Sequence, residues 1–239
     1  MRNGTKNREF KEMSNEWLPF RIEKTFSFLA GRGKFPAGKG NVSFRRSVSY
    51  LPVKRIFDVL FSAVLLFLLA FPMFLIAVCI RCGSQGPAIF RQTRVGRDLQ
   101  PFTVYKFRTM TIAAPECSSF ELSRIGRERY LTPIGRVLRR TGIDELPQLW
   151  NVLCGKMSLV GPRPVIPKEA YLIRLRVLLG VSDLMPGITG LAQVKGRDER
   201  TAEEKALLDA IYARTMSPLN DLKILYKTVL AVFGGTGCN

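Results

Sequence analysis

Two adjacent acids, Asp144 and Glu145, are the residues whose type and setting most constrain the chemistry of this chain. An amphipathic helix is predicted to follow them, because four apolar residues recur at i, i+3, i+4 and i+7: Leu146, Leu149, Trp150 and Leu153. Pro147 is tolerated only in the first turn of a helix, so we expect the helix to begin close to the acids. The free N–H groups of a helix N-terminus favour an ionised Asp144 and attract phosphate. An acidic N-cap on an ordinary helix is the alternative interpretation.

The chain of 239 residues contains no histidine. This removes the usual general base, the Ser-His and Cys-His nucleophile pairs and most zinc sites. Nucleophilic or acid–base chemistry must therefore fall to carboxylates, lysine, tyrosine or cysteine. The five cysteines are scattered and predict no disulfide framework. Cys79 and Cys82 have metal-like spacing, but no second pair completes four ligands, so we interpret their spacing as incidental.

The net charge of +18 indicates polyanionic partners: nucleic acid, anionic lipid or phosphorylated substrates. Residues 1–55 hold 13 basic and 4 acidic residues, a net +9, so half of the excess lies in the first quarter of the chain. Residues 1–50 are also rich in glycine. We therefore expect them to form a flexible basic arm that lies on anionic lipid headgroups.

An apolar stretch at residues 59–80 has no charged residue in 22 positions, which is enough to span a bilayer. Its flanks are basic on both sides, so the positive-inside rule gives no orientation for a simple span. The same flanks fit a hairpin whose two ends stay in the cytoplasm. Pro72 lies past the midpoint and is expected to bend the helix, which leaves both a kinked span and a hairpin open. Asp58 is predicted to pair with Lys54 or Arg55 at the interface.

Residues 87–96 and 102–110 predict two short strands joined by a turn, because polar and apolar residues alternate in the second segment. Lys106 and Arg108 recur with this alternation. They are placed to meet phosphates or simply to face solvent.

A helix is predicted at residues 131–140, with apolar residues on one side and arginines, including Arg136, on the other. Farther along, Arg163 lies between two prolines that fix its backbone. A guanidinium held this stiffly suits bidentate recognition of phosphate. An exposed arginine in a structural turn is the alternative.

The C-terminal third predicts one strand and two helices. Residues 185–197 are punctuated by glycines and fit a strand flanked by loops that approach a ligand closely. Residues 201–215 and 219–233 predict helices. The second has a broad apolar face, suited to core packing or to lying along a membrane.

These motifs, taken in order, strongly resemble the bacterial sugar transferase family, the monotopic polyprenyl-phosphate phosphoglycosyl transferases. The resemblance covers residues 52–233 and is carried by seven motifs: Lys54-Arg55-x-x-Asp58, Phe90-Arg91-Gln-x-Arg94-x-Gly96, Lys106-Phe-Arg-Thr-Met110, Thr132-Pro-x-Gly-Arg136, Asp144-Glu-Leu-Pro-Gln148, Met157-Ser-Leu-Val-Gly-Pro-Arg-Pro164 and Pro186-Gly-Ile-Thr-Gly190. It implies transfer of a sugar-1-phosphate from a UDP-sugar to polyprenyl (undecaprenyl) phosphate, with release of UMP. It also implies dependence on Mg²⁺ and a re-entrant helix-break-helix in place of a full span.

The resemblance assigns roles to residues of this chain. Asp144 becomes the expected nucleophile, forming a covalent phosphosugar-aspartate, and a ligand of Mg²⁺; Glu145 becomes its supporting acid or base. Five basic residues are expected to bind substrate: Lys106, Arg108, Arg136, Arg163 and Arg197. Residues 1–50 have no counterpart in the shared core. The break carries Phe71 before its proline, where members of the family often have a small polar residue.

Together these features predict an α+β fold, mainly helical, with a few short strands and amphipathic interface helices. We expect a basic arm at 1–50, a re-entrant membrane helix at 51–82 and a cytosolic catalytic domain at 83–239. The resemblance implies the bacterial inner membrane, an active site on the cytoplasmic face, and the first membrane step of exopolysaccharide, capsule, O-antigen or other glycan assembly. Downstream glycosyltransferases and further copies of the chain are expected partners, and nucleic acid is not. Two rival functions are a membrane-tethered basic protein that binds lipid or nucleic acid without catalysis, and a hydrolase of nucleotide-sugars.

Overall fold

The structure, a computed structural model, describes residues 50–115, 126–196 and 200–233. All of them belong to one of the two units into which the chain divides, Ser43–Asn239. The predicted basic arm lies outside the described residues except for Tyr50, and so does Arg197. Within the described residues the protein is mainly helical with four short strands, as the sequence predicts.

A single long helix, α1 (Tyr50–Gly83), opens the described part of the chain. Its 34 residues correspond to a length of about 50 Å at 1.5 Å per residue. The helix is long and apolar enough to cross a membrane. It is continuous through Pro72, so the predicted helix-break-helix is not confirmed, and the placement of α1 in a bilayer stays a prediction.

Helix α1 contacts the rest of the protein near both of its ends. Lys54, Asp58 and Ser62 are buried near the N-terminal end, and Ile80 is buried near the C-terminal end. Between these contacts the side chains are largely exposed, and the helix presents the following large apolar residues: Val64, Phe67, Leu68, Phe71, Phe74 and Leu75. The apolar middle of α1 therefore has a broad exposed side, although Met73 packs on the protein core.

The predicted pair of strands is confirmed as an antiparallel hairpin of β1 (Ile89–Val95) and β2 (Pro101–Phe107). The amide side chain of Asn151 completes hydrogen bonding on the outer edge of β2. Its Oδ1 accepts from Tyr105 N at 3.2 Å, and its Nδ2 donates to Thr103 O at 2.7 Å. Backbone N–H and C=O groups at a buried strand edge need hydrogen-bond partners. The buried side chain of Asn151 supplies them here, where a third strand would otherwise pair.

Two helices and a short 3-10 turn carry the central motifs. Helix α2 (Pro133–Thr141) begins at Thr132, whose Oγ1 caps it, and ends at Gly142, which has a left-handed φ of 70°. A 3-10 turn at Ile143–Glu145 follows, and then helix α3 (Gln148–Leu153). The two acids therefore lie in the turn between the helices. The expectation that a helix begins close to the acids is confirmed: α3 begins three residues after Glu145, and the acids lie in the turn before it.

The C-terminal half contains a parallel strand pair and four helices: β3 (Ser158–Val160), α4 (Ala170–Leu178), β4 (Gly187–Thr189), α5 (Leu191–Val194), α6 (Ala202–Thr215) and α7 (Pro218–Phe233). The two predicted C-terminal helices are confirmed. The predicted strand is present as β4, but the Ala-Gln-Val segment after it forms the short helix α5. The short helix begins after Gly190 and packs beside α6.

Apolar residues divide into a core and an exposed face. One core cluster, Ile80, Phe107 and Leu138, joins the end of α1 to β2 and α2. The exposed apolar residues of α2, α3 and α7 are Val137, Trp150, Leu219, Leu222, Tyr226, Val229 and Leu230. Of the two interpretations of the last predicted helix, the structure favours a face turned outward, as the amphipathic interface helices require.

A buried polar group, here called the anchor cluster (Lys54, Asp58, Ser158, Tyr212 and Asp221), ties α1 to β3, α6 and α7. Lys54 Nζ lies 2.5 Å from Asp221 Oδ2 and 3.9 Å from Asp58 Oδ1. Ser158 Oγ donates to Asp58 Oδ2 at 2.7 Å, and Tyr212 OH donates to Asp221 Oδ1 at 2.8 Å. The predicted pairing of Asp58 with Lys54 is confirmed, and Lys54 lies closer to Asp221 than to Asp58.

Candidate active site

Glu145 is the meeting point of two cations from distant parts of the chain. Lys106, near the end of β2, places Nζ 2.7 Å from Glu145 Oε1. Arg163, in the loop after β3, places Nη2 2.9 Å from Oε1 and Nη1 3.4 Å from Oε2. The structure thus brings together four of the predicted site residues: Asp144, Glu145, Lys106 and Arg163.

These ion pairs decide the charge of Glu145. Burial works to raise the pKa of Glu145, but Arg163 and Lys106 outweigh it and hold that pKa well below its usual range. Burial is the larger influence on Lys106 and lowers its pKa, although Glu145 opposes that change. Glu145 is therefore ionised throughout the physiological range, and it is already engaged by two donors.

Asp144 is in a different state from its neighbour. It is 7% exposed. Burial, followed by the negative charge of Glu145, raises the pKa of Asp144 to about 6, while Lys106, Arg139 and Arg163 oppose the rise. A helix N-terminus was expected to favour the ionised form, but Asp144 lies in the turn before α3, and burial is the largest influence on its pKa. Asp144 is a carboxylate at neutral pH whose charge is poorly stabilised, which is the condition of a reactive oxygen nucleophile.

Two arginines that were not predicted as site residues also surround the acids. Burial, followed by repulsion from Arg163, lowers the pKa of Arg94 to about 10, so Arg94 stays charged at neutral pH. Arg139 acts on Asp144 from α2. Arg94 is part of the Phe-Arg-Gln-x-Arg motif, and Arg139 belongs to the polar side of the predicted helix. Motif membership and helix face were the signals that could have found them.

Arg139 is aimed by a close approach between α2 and the residues after β2. Thr132 N donates to Thr109 O at 3.0 Å, and Arg139 Nε donates to Thr109 Oγ1 at 3.0 Å. A Cβ at Gly135 would lie well inside contact distance of the Thr109 carbonyl oxygen. Glycine is therefore required at this point for α2 to lie against the backbone that follows β2.

The structure does not bring Arg108 or Arg136 to the acids. Arg108 is buried beyond the end of β2, where it donates to the carbonyl oxygens of Ser84 and Gln85 and joins the end of α1 to the hairpin. Arg136 is largely exposed and lies 3.5 Å from Glu128. The alternation of basic residues predicted phosphate contacts for Arg108, but the strand ends at Phe107, so the pattern does not extend to it.

The site has carboxylate oxygens for a metal but no cage. Among the described residues, no group of three or more His, Cys, Asp or Glu side chains could hold a metal ion. Mg²⁺ in phosphoryl-transfer sites is commonly held by one or two carboxylates together with substrate phosphates and water. Asp144 fits that role, because the two ion pairs described above go to Glu145.

Comparison with known proteins agrees with this geometry. A model of the family described as "Bacterial sugar transferase" matches residues 49–235. A UDP-glucose:undecaprenyl-phosphate glucose-1-phosphate transferase of Klebsiella pneumoniae is 38% identical over 187 residues, covering 75% of this chain and 40% of that protein. One of the same name from Caulobacter vibrioides is 42% identical over 183 residues, covering 74% and 68%.

A third relative differs in the sugar that its name gives. The undecaprenyl-phosphate galactose phosphotransferase of Salmonella typhimurium is 35% identical over 208 residues, covering 81% of this chain and 42% of that protein. The matched part thus spans about two fifths of the Klebsiella and Salmonella relatives. The family match covers most of the chain, including the hairpin, the two acids and the loop that carries Arg163. The chain belongs to the bacterial sugar transferase family.

Proposed function

We propose that this protein transfers a sugar-1-phosphate from a UDP-sugar to polyprenyl (undecaprenyl) phosphate, giving polyprenyl-diphosphate-sugar and UMP. The observation that carries the proposal is a buried Asp144 with a raised pKa beside a Glu145 held by two cations, in a family with relatives named for this reaction. As the relatives' names differ in the sugar, the sugar taken by this chain is left to experiment.

The reaction divides into two displacements at one phosphorus atom. An ionised Asp144 oxygen attacks the phosphorus that bears the sugar, and the bond from that phosphorus to the bridging oxygen breaks, so UMP leaves with both electrons. A phosphate oxygen of the polyprenyl phosphate then attacks the same phosphorus and frees the Asp144 carboxylate. Because the acid carries the group between two acceptors, a water-soluble donor and a lipid acceptor can use one site in turn.

Charge is the main obstacle to the first displacement. A diphosphate ester carries about two negative charges, which repel an attacking carboxylate unless cations lie nearby. Lys106 and Arg163 lie on Glu145 before substrate arrives, so they are already oriented. Sharing these donors between Glu145 and the phosphates lets the site accept the dianion with little rearrangement. Arg139, on α2, adds a further positive charge that favours the ionised form of Asp144.

Mg²⁺ is the cofactor that this site fits. Asp144 would supply a protein oxygen, and the diphosphate would supply the others. The ion, when bound, adds positive charge at the phosphates and at the departing UMP oxygen.

The membrane placement that we propose for α1 is re-entrant, with both ends at the cytoplasmic face of the bacterial inner membrane. The support is that Lys54 near one end and Ile80 near the other both pack on the same domain, while the apolar middle is exposed. A straight span would put Lys54 and Ile80, about 39 Å apart along the helix, on opposite sides of a hydrocarbon core about 30 Å thick. Both flanks are basic, which also favours the cytoplasmic side for each of them.

Cysteine labelling tests this topology. In a background without the native cysteines, Gly40→Cys and Gln100→Cys should both resist an impermeant thiol reagent in intact cells and react after lysis. Labelling at position 40 but not at position 100 in intact cells would show that α1 spans the membrane.

Product analysis tests the reaction. With Mg²⁺ and undecaprenyl phosphate, the purified protein should release UMP from at least one member of a panel of UDP-sugars, and the lipid should acquire the sugar phosphate. The Asp144→Asn variant should do neither. Without the lipid acceptor, mass spectrometry should find the sugar phosphate on the peptide that contains Asp144. Free sugar phosphate as the end product would instead identify a hydrolase. Absence of turnover together with salt-sensitive nucleic-acid binding would identify the basic binding protein.

A further inference from the structure

The loop that carries Arg163 is held by its backbone carbonyl groups. Four successive carbonyl oxygens, of Pro162, Arg163, Pro164 and Val165, each accept a hydrogen bond from a different donor. The donors, in order, are Gly187 N at 2.9 Å, Arg176 Nη1 at 2.9 Å, Arg94 Nη1 at 3.3 Å and Val95 N at 2.8 Å. Two of the four donors are side chains, and the one at Arg163 itself comes from α4.

The hydrogen-bonded loop borders a small space. A small cavity of about 30 Å³ lies between the loop and the turn of the hairpin, and its lining includes Pro162, Val165 and Arg176. Beside this space, the loop is held by the donors that bind its four carbonyl groups.

Arg176 is itself fixed by a buried acid on α6. Its Nη2 lies 2.7 Å from Asp209 Oδ2, and its Nε donates to the same oxygen at 2.9 Å. Asp209 is 1% exposed. Because Nε and Nη2 are both directed at Asp209, the remaining terminal nitrogen, Nη1, is turned toward the Arg163 carbonyl oxygen. Because the guanidinium group is planar and rigid, its contacts with Asp209 on α6 fix the direction of the Nη1 donor that binds the loop.

We infer that Arg176, oriented by Asp209, is a positioning residue that holds Arg163 in reach of Glu145 and of the substrate phosphates. It acts through the backbone carbonyl of Arg163 and touches neither substrate nor the reacting atoms. This inference rests on the proposed function for its kinetic readout. It assigns the pair a task that the catalytic motifs do not contain, since Arg176 and Asp209 lie outside all seven.

The first test replaces the buried pair without leaving a lone charge. The double variant Arg176→Gln, Asp209→Asn keeps two polar side chains that can bond to each other, but glutamine is too short to reach the Arg163 carbonyl oxygen. We expect kcat/KM for the UDP-sugar to fall by about 10- to 100-fold, as for a misplacement of about 1 Å. Tyr171→Phe is the matched control, because Tyr171 OH also joins α4 to α6, at 2.8 Å from Glu203, away from the loop. It should keep wild-type kinetics, and an equal loss in the control would overturn the inference.

A double-mutant cycle separates positioning from general damage. If the pair acts only through Arg163, the double variant Arg176→Gln, Asp209→Asn should have less than a threefold effect on kcat/KM in an Arg163→Ala background, where no guanidinium is left to position, although it is costly in the wild type. A full and additive loss in that background would show that the pair acts by another route, and wild-type activity of the double variant would show that it has no role.

Hydrogen–deuterium exchange supplies a readout that does not need turnover. Exchange in residues 158–169 should rise in the double variant and stay unchanged in Tyr171→Phe, whether or not any UDP-sugar is consumed. If the wild-type protein transfers no sugar phosphate, the proposed function fails while this result still decides the positioning role. Unchanged exchange in the double variant would reject that role.

Discussion

The anchor cluster and the candidate active site both bury charges, but they distribute hydrogen bonds in opposite ways. In the anchor cluster, Lys54 lies between Asp58 and Asp221, and each acid also accepts from a neutral hydroxyl group. In the active site, two cations bind Glu145, and the pKa of Asp144 is raised by burial and by that same neighbour. In the anchor cluster both carboxylates have a cation and a hydroxyl group as partners. In the active site, Lys106 and Arg163 both form their ion pairs with Glu145.

The difference separates charge that holds a structure from charge that is kept for reaction. Removing one partner from a satisfied buried pair leaves the other uncompensated and is strongly destabilising. A buried carboxylate with a raised pKa works in the other direction. Because its folded pKa lies above its unfolded value, its ionisation at neutral pH opposes folding, and that cost is absent only below the unfolded pKa. Removing the charge of Asp144 should therefore lower activity without lowering stability, and removing Lys54 from the anchor cluster should lower stability with little effect on activity.

Asp144→Asn should show the largest effect on activity. Sugar-phosphate transfer should fall at least about 1,000-fold because the nucleophile is gone, while the melting temperature should stay equal or rise, since a poorly stabilised charge is removed. UMP release and thermal unfolding in detergent measure the two quantities. Glu145→Gln should differ by lowering the melting temperature, because it leaves Lys106 and Arg163 facing a neutral group. Wild-type UMP release by Asp144→Asn would end the covalent mechanism.

Removal of divalent metal should abolish activity without weakening the fold. EDTA should stop UMP release and added Mg²⁺ should restore it, because the diphosphate brings charge that the cations of the site do not fully balance. The unfolding temperature should not change, since the described residues contain no three-residue group that could hold a structural metal. Turnover that survives exhaustive chelation would mean that the arginines and Lys106 supply all the charge stabilisation.

Lys54→Met should have its main effect on stability. It leaves Asp58 and Asp221 buried next to each other, and breaking a buried pair in this way costs about 3 kcal/mol or more. Chemical unfolding in detergent micelles should register that loss, while the folded fraction should keep activity within a few-fold of the wild type. The matched control is Lys223→Met on the exposed side of α7, which should be close to neutral. Equal stability of the two variants would contradict the structural role of the anchor cluster.

The dependence of activity on pH should show a smaller, graded effect. The reactive form of Asp144 is ionised and its pKa is about 6, so kcat/KM should fall as pH drops through about 6, by about tenfold per unit below it. Lys106 opposes the rise in this pKa, so Lys106→Met should move the midpoint upward. A midpoint near the usual aspartate value in the wild type would show that burial does not govern this acid.

Local features of the fold were predictable, and contacts between distant segments were not. Alternation in residues 102–109 predicted the hairpin, and the separation of apolar residues from arginines in residues 131–140 predicted the helix, because these signals are read within a few residues. The pairing of Lys54 with Asp221 joins residues 167 apart, and the bond from Arg176 to the Arg163 carbonyl requires two elements to pack first. Arg108 illustrates the limit: its spacing was right for a phosphate contact, but only the folded chain reveals that two carbonyl groups already occupy it.

The close approach at Gly135 limits which sequences can carry this site. Gly135 is buried in α2, and by intrinsic helix propensity alone glycine is less favourable than alanine by about 1 kcal/mol. Alanine is excluded here because its methyl group would collide with the Thr109 carbonyl oxygen. In a deep mutational scan, position 135 should therefore tolerate no substitution, although it touches neither acid. Any designer who transfers the two acids to another scaffold inherits the same narrow choice at that helix.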